Sequence, residues 1–199
     1  MIIRKQYSIE MGHLVRNCSS ERCAFSQHGH SAIIEVMLSG TKLDNAGMLY
    51  DFGLMKGTIK QFIDSFDHCY VFWNKESEEF KDYVKKFNYR WIEVDFNPTA
   101  ENLALFFHGW IEYILQHTRM HNDEDPLLHV ASVRYHETAT GYAQTEYDDV
   151  DTIFFDTGCV PRLNMINLSD HVIKNWSEDL KKIMIDKECV DNPIPFKQI

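Results

Sequence analysis

Two long strands are predicted near the start of the chain from the alternation of apolar and polar positions. Residues 2–13 have one apolar face, whose members are Ile3, Tyr7, Ile9 and Met11. Residues 28–38 alternate in the same way, and their apolar face comprises Ala32, Ile34, Val36 and Leu38. A period of two is typical of half-buried strands. The two segments are therefore candidates for an antiparallel pair.

Two amphipathic helices are predicted in the middle of the chain. Asp51 is a suitable N-cap for a helix over residues 52–66, which Gly53 and Gly57 weaken locally. Thr99 caps the second helix, and Glu101 lies in its first turn. The buried stripe of this second helix comprises Leu103, Phe106, Phe107, Trp110, Ile111, Ile114 and Leu115.

Further elements complete the predicted domain. A short charged helix over 76–87 and a short strand over 89–96 separate the two main helices, and strands over 127–137 and 140–147 follow. The main order is strand, strand, helix, helix, strand, strand. This order favours an α+β fold in which the helices pack on one face of an antiparallel sheet.

The character of the chain changes near residue 150. We therefore divide it into a domain over 1–150 and a C-terminal extension over 151–199, to which we assign no chemistry. Within the extension, residues 152–155 suggest a strand, and a helix beginning at Ser169 or Asp170 is predicted to run to Met184. The last residues, from Asp191, are expected to be extended.

Composition limits the possible functions. With 199 residues, the default is one domain with an appendage. The net charge of −10 argues against a protein that binds a nucleic-acid backbone. No apolar run approaches the roughly 20 residues of a membrane span, and the N-terminus lacks the apolar core of a signal peptide. Five irregularly spaced cysteines do not suggest a disulfide framework, and we expect a cytoplasmic protein without a membrane partner.

Three histidines are the strongest candidates for chemistry. His13 continues the apolar parity of the first strand, while His28 and His30 begin that of the second. If the strands pair, these side chains meet at one end of one face. Three imidazoles with a vacant position match an open zinc site better than a closed structural one. The competing interpretation is that they are surface or packing histidines.

A thiol near such a site is readily deprotonated and can serve as a general base. Cys23 lies five residues before His28 and is our candidate for the base. Cys18 is the alternative base, and a buried inert cysteine is the alternative interpretation of Cys23.

Six short motifs occur in an order that resembles one enzyme family. They are Ile9-Glu-Met-Gly-His13, Cys23 before His28-Gly29-His30, Gly47-Met-Leu-Tyr-Asp51-Phe52, Asp67-His68, Pro98-Thr-Ala-Glu-Asn102 and Glu137-Thr138. Over roughly residues 2–147, the chain resembles the pterin synthases of the tunnelling fold. These are the 6-pyruvoyltetrahydropterin synthases and the bacterial 6-carboxy-5,6,7,8-tetrahydropterin synthases.

The resemblance implies a fold and a set of roles. The fold would be a four-stranded antiparallel ββααββ sheet with two helices on one face. Zn²⁺ would be bound by His13, His28 and His30. Catalysis would involve Cys23 as base, His68 as proton relay and Asp67 as the carboxylate that orients it. Glu137 would anchor the pterin, and Thr99 and Glu101 would lie near the pterin pocket.

The resemblance also implies a substrate and an assembly. The substrate would be 7,8-dihydroneopterin triphosphate, and the favoured product is 6-carboxy-5,6,7,8-tetrahydropterin, released with acetaldehyde and triphosphate on the route to 7-deazaguanines such as queuosine. Alternatives are a 6-pyruvoyltetrahydropterin synthase and a non-catalytic, zinc-bound pterin- or purine-binding protein. Three subunits would close a barrel and two trimers would stack into a homohexamer, with sites between subunits.

Overall fold

The two predicted N-terminal strands lie at the centre of the sheet. The structure, a computed structural model, describes residues 1–151, 155–156, 160–161 and 166–196. The strands are β1 (Ile2–His13), β2 (His28–Ser39), β3 (Cys69–Trp73), β4 (Trp91–Val94), β5 (Thr118–Arg119), β6 (His129–Thr138), β7 (Gly141–Glu146), β8 (Phe155–Asp156), β9 (Val160–Pro161), β10 (Ile166–Leu168) and β11 (Val190–Asp191). β1 and β2 pair antiparallel without a break, from Ile2 opposite Ser39 to His13 opposite His28.

Within the described residues, the main sheet has seven strands in the order β10-β4-β3-β1-β2-β6-β7. The α+β class and the tunnelling fold are confirmed, but the sheet is larger than the four strands expected. β3 and β4 run parallel to β1, and β10 pairs antiparallel with β4. The run that forms β3 is apolar throughout and short, so its periodicity does not distinguish a strand from a buried helical segment.

Helices cover both faces of this sheet. They are α1 (Glu21–Phe25), α2 (Thr58–Asp64), α3 (Glu78–Phe87), α4 (Ala100–Gln116), α5 (Tyr147–Asp151), α6 (Asp170–Ile173) and α7 (Glu178–Lys181). As expected, α2 and α4 pack on one face, where their aromatic rings interlock. An example is Phe62 of α2 and Phe107 of α4, whose ring centroids lie 6.2 Å apart. The prediction of helices on one face only is wrong at β3, because α3 covers Tyr70 and Phe72 from the opposite side through Val84.

The helix predicted over 52–66 is divided at its glycines. A 3-10 turn at Leu54–Lys56 precedes Gly57, and α2 begins at Thr58. The prediction of Asp51 as the N-cap is wrong, because Gly53 and Gly57 hold the N-cap positions of the two pieces; Asp51 Oδ1 instead accepts a hydrogen bond from the Gly53 N–H at 2.6 Å in the turn before the 3-10 segment. Glycine has a poor helix propensity, which explains why the helix restarts here.

The C-terminal segment, defined here as residues 166–196, packs against the domain core. Its buried apolar side chains join the same cluster as α2 and α4, and they are Val172, Trp176, Leu180, Ile183 and Val190. The helix predicted to reach Met184 is interrupted: α6 ends at Ile173, Ser177 caps α7, and a π-helical segment follows at Lys182–Asp186. The strand predicted over 152–155 lies mostly outside the described residues. In the expected extended tail, β11 pairs parallel with β5.

Across the described ranges, no helix is both long enough and apolar enough to cross a bilayer.

Candidate metal centre and active site

The three predicted histidines converge at the end of the β1–β2 pair. Each offers one ring nitrogen, and these atoms lie within 4.8 Å of one another. The ring centroid of His13 is 4.7 Å from that of His28 and 5.2 Å from that of His30. Strand register explains the convergence, because His13 lies directly opposite His28 and His30 follows two residues later on the same face. The cluster could hold a metal ion.

Hydrogen bonds orient two of these rings. His13 Nδ1 donates to the Pro98 carbonyl and His28 Nδ1 donates to the Ser26 carbonyl, both at 2.9 Å. Each contact leaves Nε2 as the free nitrogen, as in metal-bound histidines whose second nitrogen is held by a carbonyl. The Nε2 atoms of His13 and His30 are buried and have no hydrogen-bond partner among the described residues. Two unpartnered buried nitrogens in one cluster fit the binding of a cation.

Burial also determines the charge of His13. The ring is fully buried, and this burial lowers its pKa from 6.5 to about 4. The hydrogen bond to Pro98 raises the pKa, and the two neighbouring histidines lower it further. His13 is therefore neutral at pH 7, which is the state that binds a metal.

Glu137 lies beside the cluster at the end of β6. Its Oε1 is 3.5 Å from His13 Nε2 and 3.7 Å from His30 Nε2. The structure thus brings the predicted pterin-binding carboxylate to the predicted metal ligands.

The glycine between His28 and His30 allows the two strands to approach closely. Gly29 lies opposite Gly12, and a Cβ added at Gly29 would stand 2.8 Å from the Met11 carbonyl oxygen. Real Cβ atoms essentially never come this close to another heavy atom. The His-Gly-His spacing therefore reflects backbone packing as well as the common face of the histidines.

Asp67 and His68 form the predicted pair in the turn between α2 and β3. His68 Nδ1 is 2.9 Å from Asp67 Oδ2. The turn is attached to β1, because Asp67 Oδ1 accepts from the Glu10 N–H at 2.8 Å and the His68 N–H donates to the Glu10 carbonyl at 2.6 Å. His68 lines a cavity of about 510 Å³ together with His28 and His30.

The Asp67 carboxyl is held in its ionised form. Burial raises its pKa, but the hydrogen bonds from Glu10 and His68 outweigh burial. The positive charge of Arg90 acts in the same direction, and the net effect is a pKa below the usual 3.8. An ionised Asp67 can orient the His68 ring.

The segment between β1 and β2 carries both candidate thiols. Cys23 lies in α1 and Cys18 precedes it, and both are free and partly buried. Arg16 anchors this segment through two groups. Its guanidinium donates to the Glu76 carboxylate at 2.7 and 2.8 Å, and its backbone N–H donates to Asn97 Oδ1 at 3.0 Å. The Cys18 thiol donates to the Ser20 carbonyl at 3.2 Å.

Thr99 and Glu101 lie at the start of α4. The Thr99 hydroxyl accepts from the Asn102 N–H at 3.3 Å and so caps the helix as predicted. Glu101 is exposed and lines a separate cavity of about 500 Å³ with Leu105 and Ala143. In this chain the structure does not place Glu101 in the cavity that His68 lines.

Sequence reasoning did not identify two groups of contacts at the site. The carbonyls of Ser26 and Pro98 orient the histidine rings, and backbone acceptors carry no residue-type signal. Arg90 donates to the Asp67 carbonyl at 3.0 Å, and a lone arginine before a short strand gave no indication of this contact.

Comparisons with known proteins agree with this geometry. A family model described as 6-pyruvoyl tetrahydropterin synthase matches residues 2–148. A protein of Helicobacter pylori strain J99 named 6-carboxy-5,6,7,8-tetrahydropterin synthase is 39% identical over 202 aligned residues, covering 100% of both chains. An Aquifex aeolicus protein with the same name is 30% identical and covers 71% of this chain and 95% of its own. The predicted enzyme class, a lyase, agrees with the names of these relatives.

Solved structures show the same fold. An uncharacterized protein of Wolinella succinogenes superposes with a TM-score of 0.56 at 20% identity, over 74% of this chain and 98% of its own. The 6-pyruvoyltetrahydropterin synthase of Plasmodium vivax superposes with a TM-score of 0.51 at 13% identity, over 73% and 97%. From the motifs, the family match and the full-length relative, the chain belongs to the 6-pyruvoyl tetrahydropterin synthase family.

Proposed function

We propose that the protein is a zinc-dependent 6-carboxy-5,6,7,8-tetrahydropterin synthase. Its substrate would be 7,8-dihydroneopterin triphosphate, and its other products acetaldehyde and triphosphate. The observation that supports this most is the convergence of three imidazoles and the Glu137 carboxylate at one point. The names of the relatives favour the carboxy product, which would serve the synthesis of 7-deazaguanines such as queuosine.

The donor set suits zinc. His13, His28 and His30 would hold the ion through nitrogen, and three neutral imidazoles are a known ligand set for catalytic zinc. When bound, zinc would supply a Lewis acid with one open position. The buried, neutral His13 and the ring orientation set by Pro98 prepare the site without rearrangement.

The remaining residues would bind the substrate and move protons. A pterin presents an amino group beside a ring N–H, and the Glu137 carboxylate can accept both. The Cys23 thiolate would remove a proton from the substrate side chain, and His68 would relay protons while Asp67 orients its ring. Thr99 and Glu101 would contribute to the pterin pocket from the start of α4.

Metal content tests the centre directly. The protein purified without chelators should contain one zinc per chain, and His28→Ala and His30→Ala should lose most of it. His129→Ala is the matched control, because His129 lies outside the cluster, where its Nδ1 donates to the Leu127 carbonyl at 2.8 Å and its ring lies 5.1 Å from that of Tyr147. Full zinc content in both cluster variants would rule out this centre.

Product analysis tests the reaction. Mass spectrometry of the wild-type reaction should detect 6-carboxytetrahydropterin and acetaldehyde in equal amounts. Detection of 6-pyruvoyltetrahydropterin instead would assign the sister reaction. Tight pterin binding with neither product would favour the non-catalytic alternative.

Cysteine variants test the base. Cys23→Ala should lower kcat on the order of 10²-fold or more while zinc stays bound, because a general base contributes about that much. Cys18→Ala, in the same segment, tests the alternative base and should keep kcat if Cys23 is the base. If neither substitution changes turnover, the proposed acid–base scheme is wrong.

A further inference from the structure

The turn that carries Asp67 and His68 is held by one guanidinium. Arg90 Nε donates to the Asp67 carbonyl, and Nη2 donates to the carbonyls of Asp64 and Ser65, all at 3.0 Å. The last carbonyls of a helix lack partners within the helix, and a cation is favoured at that end. Arg90 therefore fixes the end of α2 and the backbone of Asp67 together.

The same guanidinium reaches the C-terminal segment. Arg90 Nη1 donates to the His171 carbonyl at 3.3 Å. Trp176 is buried in this segment, and its Nε1 donates to Ser65 Oγ at 2.7 Å. The Ser177 N–H adds a third contact, to Gln61 Oε1 at 3.0 Å. The segment is thus bound to the helix end from which the turn begins.

The backbone of this turn needs such support. His68 has φ of 55°, in the left-handed region that residues other than glycine rarely adopt. Strained positions persist only where the surrounding structure holds them. Here the contacts to Glu10 act from β1, and those of Arg90 act from the residue that precedes β4.

A cavity of about 400 Å³ separates the segment from the pair. Its lining includes Asp67 and His68 from the turn, Arg90 beside them, and Val172 and Trp176 from the C-terminal segment. The segment therefore forms a wall of a space into which the proposed acid–base pair opens.

We propose that the C-terminal segment positions the Asp67–His68 pair for catalysis, with Arg90 and Trp176 as the positioning residues. This inference rests on the proposed function for the role of the pair. It assigns a role to a part of the chain that the family model, which ends at residue 148, does not cover.

Steady-state kinetics on zinc-loaded enzyme tests the proposal. Arg90→Ala should lower kcat on the order of 10²-fold, since small displacements of reacting groups have effects of that size. Arg90→Lys and Trp176→Phe, which keep the charge and the ring, should each lower kcat about tenfold. KM should change less than about twofold in all three, because the pair is proposed to transfer protons rather than bind substrate.

Two matched controls separate positioning from general loss of stability. Arg119→Lys alters another arginine contact to the C-terminal segment, the one to Asp191 Oδ2 at 3.3 Å. Trp73→Phe removes another indole donor, which contacts the Asp95 carbonyl at 3.1 Å. Both controls should keep the wild-type kcat. Equal losses in variants and controls, or unchanged kcat in Arg90→Ala, would overturn the proposal.

Hydrogen exchange provides a readout that is independent of turnover. The amides of residues 64–70 should exchange faster in Arg90→Ala and Trp176→Phe than in the wild type or the controls. If the wild type shows no synthase activity, the proposed function fails, and the exchange experiment alone decides the structural claim. Unchanged exchange in these residues would refute it.

Discussion

His108 shows how one buried residue makes stability depend on pH. It lies in α4, is 1% exposed, and burial lowers its pKa to about 4. The neutral ring is satisfied at both nitrogens, because Nε2–H donates to the Val130 carbonyl and the Thr145 hydroxyl can donate to Nδ1, each at 2.9 Å. Protonation would place a charge in the core.

The sign of the effect follows from the pKa values. Between pH 6.5 and about 4 the unfolded chain binds a proton at His108 that the folded chain does not. The free energy of unfolding must therefore fall as the pH falls through this window. From pH 7 to pH 5, we expect His108 to account for a loss of about 2 kcal/mol.

Denaturant unfolding at pH 7 and pH 5 measures this loss. His108→Gln should lose about 2 kcal/mol less than the wild type over the interval, whatever its stability at pH 7. Thr145→Val removes a hydrogen-bond partner but keeps the imidazole, so it should be destabilised and still retain the wild-type pH dependence. Identical pH dependence in wild type and His108→Gln would contradict the argument.

Glu137 can be tested separately from the metal ligands. Its carboxylate lies near the free nitrogens of His13 and His30 without belonging to the histidine cluster. Glu137→Gln should keep bound zinc and raise KM by roughly 10- to 100-fold, as expected for losing a charged hydrogen-bond acceptor. Glu79→Gln, at an exposed position in α3, is the control and should leave KM unchanged. Loss of zinc in Glu137→Gln would instead make Glu137 part of the metal centre.

At the scale of elements, the β1–β2 pair determines the geometry of the cluster. Gly29→Ala should destabilise the protein by about 1–3 kcal/mol, because the new Cβ has no room against the Met11 carbonyl. Any displacement of β2 also moves His28 and His30, so zinc content should fall with stability. Gly141→Ala is the control, since its nearest neighbour would be Thr138 Oγ1 at 3.4 Å. Thermal unfolding and metal analysis give both readouts, and a fully stable, zinc-loaded Gly29→Ala would exclude this role for the glycine.

The elements also show which features a sequence can reveal. The parity of His13, His28 and His30 determined their common face, because strand periodicity is a local property. α4 was predicted with its cap, since Thr99 and the apolar stripe lie within one continuous helix. β3 was not predicted, because it is short and apolar on both faces and therefore lacks the alternation that identifies a half-buried strand.

Long-range contacts were beyond that reasoning. Trp176 has the spacing of a core residue, yet its indole also binds Ser65, which is 111 positions away. In the sequence, Arg90 cannot be distinguished from other basic residues beside strands. Only the folded chain brings its guanidinium to the carbonyls at the end of α2. The link from the C-terminal segment to the Asp67–His68 turn therefore became visible only in three dimensions.

At the scale of the whole molecule, the described residues leave two edges of the sheet and, around β1 and β2, part of the face opposite α2 and α4 uncovered. Opposite α2 and α4, β1 presents polar side chains such as Arg4 and Gln6, which converge on the buried Glu35 carboxylate at 2.7 Å. Among described strands, β7 pairs only with β6, and β10 only with β4. Unpaired edges favour association with another copy. The hexamer that the family resemblance implies would have a mass of about 140 kDa from six chains of 23.4 kDa.

The exposure of His68 provides a functional reason for such assembly. In the single chain its side chain is 74% exposed, whereas proton transfer in an enzyme generally takes place away from bulk water. We therefore expect a second copy to cover His68, so that each active site draws residues from two chains.

Cys23→Ala and His68→Ala should each be inactive alone. After the two variants are mixed, dissociated and reassembled, activity should return to at most about a quarter of wild type, the share of sites with both residues intact at a heterologous interface. The comparison is with unmixed samples that are dissociated and reassembled in the same way, and recovery above their activity supports shared sites. Two results would instead show that each chain works alone. One is a sedimenting mass of 23.4 kDa, and the other is a confirmed hexamer in which mixing restores no activity.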